Sequence, residues 1–435
     1  MKPRKNKIVT ITTVGFALFA MFFGAGNLIL PPFIGLTSGN QWNMSLLGFF
    51  VTAIMAPFLG VLVVTKSGIS FTDLGKKIHP KLIDILAVLI ILCIGPLVAI
   101  PRTGATTFEM GVRPFFAEFN NVVFAIIFFV VVWLLSISRA KIVDIIGKFL
   151  TPILLISLFV LIALGILNPV QSVDNGVVTL SSVEAFTFGF VEGYQTLDVL
   201  ASVIFAGIII SAVIDSGYSS AKERVNITLS AGFISTIALL IIYGGLIYLG
   251  ATTDYLVGKT SAEISRTDLL LHISTSILGK IGTLVMAIAI AFACLTTAIA
   301  LTSATGDIFE RLSKGKIPYR LGVTLCTLIS IFISTNGVDN IITYAVNVLL
   351  FIYPIVFTLI LCVLLFGRFV QSKAPFIVSI MVTALISVIS VLKNLQLNLD
   401  FLFKIKDILP LSTYHLEWVI PSVVAFVITA AVAKK

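Results

Sequence analysis

Residues Met21–Pro32 read MFFGAGNLILPP and fall inside the first long apolar run of the chain. Glycine and proline both interrupt helices, one through backbone freedom and the other through its missing N–H. An asparagine in hydrocarbon is costly unless its amide finds partners. Glycines alone would fit a packing face with a proline kink equally well. Gly24-Ala25-Gly26-Asn27 followed by Pro31-Pro32 favours a span that unwinds part-way. Such backbone is tolerated at membrane depth only where it is buried in protein or lines water. The amides that open the next half-helix suit a carboxylate, and the carbonyls that close the first suit a cation or an ammonium.

The rest of the chain supports a membrane setting. Its 435 residues are 58% hydrophobic and 11% charged, against about a quarter charged in soluble domains. Twelve apolar segments follow one another, at roughly 8–34, 42–65, 82–101, 120–137, 143–167, 184–212, 226–250, 274–305, 318–334, 338–366, 374–392 and 412–433. Many of them reach the ~20 residues that cross a bilayer. The expected fold is an all-α polytopic membrane protein with one membrane domain over residues 1–435. The basic N-terminus MKPRKNKIVT leads into a run too long and too irregular for a cleaved leader, so a retained first span is expected.

Charge fixes the expected orientation. With the N-terminus in the cytoplasm, most of the 29 Lys and Arg fall on the inner side, among them Lys5, Lys7, Lys66, Lys76, Lys81, Lys222, Arg311, Lys314 and Arg368. Both termini are then cytoplasmic by the positive-inside rule. The net charge of +9 reflects topology, and no nucleic acid partner is implied. The four cysteines lie in apolar segments without a CxxC pair, and the three histidines share no metal-ligand spacing. GxxxxGK[ST] is absent, which excludes a nucleotide-driven pump built on that loop. A membrane hydrolase would want a nucleophile–base or metal constellation, and the chain offers none, so an enzyme is not expected.

Two further segments carry polar chemistry at span depth. Segment six contains GYQTLDVLAS, Gly193–Ser202, which places Thr196, Asp198 and Ser202 in the span. An intramembrane carboxylate normally faces a pathway, a cation or another polar group. Interrupted helices at corresponding places in two halves point to a transporter with inverted repeats. The halves expected are segments 1–5, about 8–167, and 6–10, about 184–366, with two extra helices over about 374–433. Segment eight contains AFACLTTAIALTSATGD, Ala291–Asp307, where Thr296 and Thr297 adjoin. Their hydroxyls can help form an oxygen cage for a small hard cation such as sodium, or bond back to the carbonyl one turn earlier.

MFFGAGNLILPP, IPRTGATTFEMGVRP (Ile100–Pro114) and EGYQTLDVLAS together resemble the bacterial branched-chain amino acid:cation symporter family over essentially the whole chain. The resemblance implies uptake of leucine, isoleucine and valine with sodium, or with protons in some members, across the cell membrane. It also implies the leucine-transporter-like five-plus-five fold. Carried onto this sequence, it places the substrate carboxylate on amides around Gly24, Ala25 and Gly26, with a sodium beside Asn27. Ala293, Thr296 and Thr297, with the carbonyls of Ala20 and Phe23, are implied as a second sodium site. Sodium is the coupling ion expected, with no further cofactor and no obligate protein partner.

Three points stay open on the residues. Asp198 either meets the substrate ammonium, ligates sodium or titrates. Arg102 and Glu109 are read as lying beyond the outer end of span three, as a gate pair or a solvated loop. With no Lys or Arg then near a midplane, a zwitterion held by backbone dipoles is the expected substrate, its side chain among Val203, Phe205 and Leu301. The alternatives are proton coupling, another small neutral amino acid, or a nucleobase.

Overall fold

The computed structural model describes residues 5–24, 27–76, 78–137, 142–173, 180–255, 264–395 and 399–433; Ala25 and Gly26 of the first motif lie outside them. The described residues form helices and connections with no strand. Seven helical segments are long and apolar enough to cross a membrane, and five shorter apolar helices accompany them.

The first span is two helices, α1 (Lys7–Phe22) and α2 (Leu30–Ser38), which end and begin on either side of Gly24 and Asn27. The second comprises α3 (Trp42–Phe49) and α4 (Ala56–Ser67), joined by a π-helical turn over Phe50–Met55. The third is longer than its apolar run suggests: α5 (Pro80–Leu92), a π turn, α6 (Ala99–Thr106) and a second π turn that ends at Val112. Gly95 (φ −95°, ψ −123°), Pro96 and Val98 (φ −134°, ψ −65°) break it in the middle. Then come α7 (Asn121–Ile137) and α8 (Ile142–Leu167).

The sixth span is also broken. α9 (Ser182–Glu192) starts with a capping box made by Ser181 and Glu184, passes into a 3₁₀ turn at Gly193–Thr196, and restarts as α10 (Asp198–Asp215). Leu197, at the restart, has left-handed φ 63°, a conformation that costs a non-glycine residue about 1–3 kcal/mol and persists only where its surroundings impose it. α11 (Ala221–Ala251), α12 (Arg266–Leu312), α13 (Tyr319–Ser334), α14 (Val338–Phe366), α15 (Ala374–Asn394), the short α16 (Asp400–Ile408) and α17 (Val419–Val432) complete the chain. Gly279 (φ 68°) divides α12, so the eighth span proper begins after it. The last span begins at Val419 and not at residue 412, because Ser412–Tyr414 form a separate 3₁₀ turn.

Packing follows a reciprocal rule. Both halves of the first span lie on α11, while α9 lies on α3 and α10 on α4. Glycines make close approaches possible: a Cβ on Gly35 or Gly250 would collide with the backbone across the α2–α11 contact. Gly48 and Gly189 do the same across α3–α9. Small residues at such contacts let helices approach where no hydrophobic effect drives them together. Both breaks are thereby held against unbroken neighbours.

Candidate functional site

The breaks meet in one place. The Asn27 side-chain amide donates to both carboxylate oxygens of Asp198, each at 3.2 Å, joining residues 171 positions apart. Asp198 is the first residue of α10, at the positive end of that half-helix. Thr196 donates to Gly193 O at 2.9 Å and accepts from the Asp198 amide at 3.3 Å. Tyr243 of α11 donates to Phe22 O at 3.2 Å, which satisfies a carbonyl freed where α1 stops. Tyr353 of α14 stacks on Tyr194 with centroids 4.1 Å apart and donates to Thr52 O at 3.0 Å.

Arg102 changes the electrostatics of the site. The sequence reading placed it beyond the end of span three; instead it is 3% exposed, at the end of the first turn of α6. Its Nη2 donates to Asn27 Oδ1 at 2.9 Å and its Nη1 to Gln195 O at 2.6 Å, so it touches both breaks. The expectation that no arginine lies deep in a span is therefore corrected. The cause is the kink at Gly95–Val98 and the helix continuing to Val112, which carry a polar sequence through the protein interior. Thr103 and Thr107 remain compatible with helix by donating to Ile100 O (2.6 Å) and Thr103 O (2.8 Å). Glu109 does not pair with Arg102; it accepts from Thr267 Oγ1 at 2.6 Å and Val338 N at 2.9 Å.

A cavity opens beside this network. It is lined by Gly24 and Asn27, Thr196 and Asp198, Arg102, and Thr297 of α12, with Met21, Ile94, Phe205 and Leu301 among its apolar walls. Of the residues implied as sodium ligands, Asn27 and Thr297 line it and Ala20, Phe23, Ala293 and Thr296 do not. Thr296 Oγ1 donates back to Ala293 O at 2.9 Å, and Ala20 is exposed. Ser202 faces elsewhere: it donates to Val199 O at 2.7 Å and, with Val203, closes on Gly60 of α4. The described residues contain no cluster of three or more His, Cys, Asp or Glu able to hold a metal ion. The polar groups this cavity offers are oxygens of hydroxyls, an amide and a carboxylate, with the Arg102 guanidinium beside them.

The family model described as branched-chain amino acid transport protein matches residues 7–435. The chain belongs to that family. It is similar to a putative branched-chain amino acid carrier protein of Staphylococcus saprophyticus, 36% identical over 97% of each chain. It is also similar to the branched-chain amino acid permease BraB of Bacillus subtilis, 34% identical over 98% of this chain and 95% of that one. Among solved structures, the inward-facing conformation of Mhp1 matches with a TM-score of 0.62 at 12% identity, covering 97% of this chain and 91% of that one. Mhp1 in a closed conformation with bromovinylhydantoin bound, a nucleobase-cation-symport-1 family transporter, also gives 0.62, at 14% identity. At such identities the likeness is one of fold. Family and fold together describe a multi-span membrane transporter and not an enzyme.

Sequence reasoning missed three members of this network: Arg102, Tyr243 and Tyr353. Gly95-Pro96 is the signal that would have exposed Arg102, because it marks a break inside span three. The tyrosines sit in long apolar helices, where nothing local distinguishes a hydrogen-bonding tyrosine from a packing one.

Proposed function

We propose that this protein is a secondary active symporter that imports leucine, isoleucine and valine with sodium, by alternating access around the cavity between its two broken spans. One observation carries the reading: Asn27 of the first break bonds Asp198 of the second at the wall of a cavity that Thr297 of α12 also lines. Sodium between Thr297 and carbonyls freed at the first break would tie α12 to the first span and complete the substrate cavity, so ion and substrate each favour the other's binding. Met21, Ile94, Phe205 and Leu301 give a branched side chain an apolar surface. The carrier names of the relatives favour the same substrates.

The reciprocal packing of the first span on α11 and the sixth on the second span supports two repeats, about 8–167 and 184–366, followed by two extra helices over about 374–433. The Lys and Arg distribution supports a cell-membrane protein with both termini cytoplasmic. The test of substrate class is uptake of labelled leucine into proteoliposomes with unlabelled competitors. Strong competition by isoleucine and valine, and weak competition by alanine, lysine and uracil, is expected. Competition by uracil in place of isoleucine and valine would move the protein to a nucleobase carrier.

A further inference from the structure

We propose that Arg102 is the anchor for the carboxylate of the transported amino acid, and that Arg102 and Asp198 hold opposite ends of the zwitterion. This rests on the transport reading and adds how the head group is recognised. Three observations lead to it.

The half-helix that follows the first break is poor in donors. A half-helix binds an anion through the free N–H groups of its first turn. The first turn of α2 runs Leu30-Pro31-Pro32-Phe33, so two of its residues have no N–H to give. Leu28, Ile29 and Leu30 around it are fully buried apolar side chains. A carboxylate placed there would go short of partners.

A better donor stands beside it. The Arg102 guanidinium has five N–H donors in a planar fork, of which the bonds to Asn27 and Gln195 O use two. It lines the same cavity as Asp198. Arginine forks pair with carboxylates in two parallel bonds, and such pairs strengthen away from water.

The spacing also fits. The Asn27 amide stands between the two charges, donating to Asp198 and accepting from Arg102. The charge pair is thus held apart by one neutral amide, and Asn27, Arg102 and Asp198 all line the cavity. An α-amino acid lying along that amide brings its carboxylate to Arg102 and its ammonium to Asp198. Pair and zwitterion are each neutral, so recognition adds no net charge to the span. Sodium is then not required as the carboxylate's counter-ion and acts by joining helices.

The test is direct binding of labelled leucine to the purified full-length protein, with competition by leucine, leucinamide (no carboxylate) and 4-methylpentanoate (no ammonium). The wild-type protein is expected to favour leucine over either analogue on the order of 100-fold. In Arg102→Gln the leucine-to-leucinamide ratio should fall to within about tenfold, and Arg102→Lys should lie between, because lysine keeps the charge without the fork. In the double variant Arg102→Gln/Asp198→Asn, which removes the charges together, neither analogue should be discriminated. A loss of leucine and leucinamide by the same factor in Arg102→Gln would mean a structural role and would overturn the anchor. So would leucine affinity unchanged in that variant. A wild-type protein that binds no branched-chain amino acid would remove the transport reading itself, and the anchor with it.

Discussion

Arg266 joins four elements, α12, α14, α9 and α2. It opens α12; its Nη1 donates to Asp339 of α14 at 2.9 Å and its Nη2 to Glu192, the last residue of α9, at 3.2 Å. Its guanidinium carbon lies 3.9 Å from the centre of the Phe33 ring on α2. Arg266→Gln should loosen this corner. Charge-assisted bonds contribute about 1.5–3 kcal/mol each and a partly buried cation–π contact about 0.5–2 kcal/mol. The Asp339 side chain is 36% exposed, so its pair counts toward the surface value of about 0–1 kcal/mol. The Glu192 side chain is 12% exposed and would keep a carboxylate stripped of its partner. A loss of about 3 kcal/mol results, or roughly 100-fold in the local opening equilibrium. Hydrogen exchange followed by mass spectrometry reads it: amides of α9 and the first turns of α12 and α14 should exchange roughly 100-fold faster, and those of α15 and α17 should not change. Protection within about threefold of wild type at α9 and α12 would refute the energetic role assigned to Arg266.

Other changes test separate parts of the structure. Thr297→Ala should raise the sodium concentration for half-maximal leucine uptake by about tenfold or more, while Thr296→Ala, whose hydroxyl is already bonded to Ala293 O, should change it less than threefold; equal effects would contradict the cavity geometry. Gly35→Ala puts a methyl group into the α11 backbone and should cost about 1–3 kcal/mol or more, seen as a lower unfolding temperature in detergent. Asp73, in the connection between α4 and α5, bonds Lys76 and the amides of Ile69 and Ser70, which hold its carboxyl at about 2, well below the usual carboxylate range. A carboxyl lowered on folding stabilises the protein above its unfolded value near 4, and that contribution is lost as pH falls from about 4 to 2. Asp73→Asn should flatten the acid limb of thermal stability over that window and leave it unchanged at pH 7 relative to pH 6.

Much of this architecture was legible because hydrocarbon limits what a sequence can do. Gly24, Asn27 and the proline pair announced the first break, since no uninterrupted helix holds them cheaply. Asp198 announced the second, since a carboxylate at span depth needs company. The third span was misread for the same reason in reverse. Ile100–Val112 is polar enough to pass for a loop, yet it is helical, because threonines bond back to their own helix and Arg102 and Glu109 find partners on distant segments. Which segments those are is a tertiary fact. Ser202 shows the complementary limit: one turn after Asp198 it stays near the same helix face, but its hydroxyl bonds Val199 O and packs on Gly60, and Ala201 and Phe205 take the cavity wall. Thr296 and Thr297 are adjacent in sequence and so point about 100° apart on their helix, which puts only Thr297 on the cavity.

The central claim is coupled transport through the cavity where Asn27 meets Asp198, and its most direct test is accumulation of labelled leucine in proteoliposomes under an imposed sodium gradient, compared with a proton gradient alone. Accumulation with sodium, absent with protons and absent when the sodium gradient is collapsed, is the predicted result. Accumulation driven by protons with no response to sodium would contradict the sodium site at Thr297 and leave Asp198 as the group that carries the coupling.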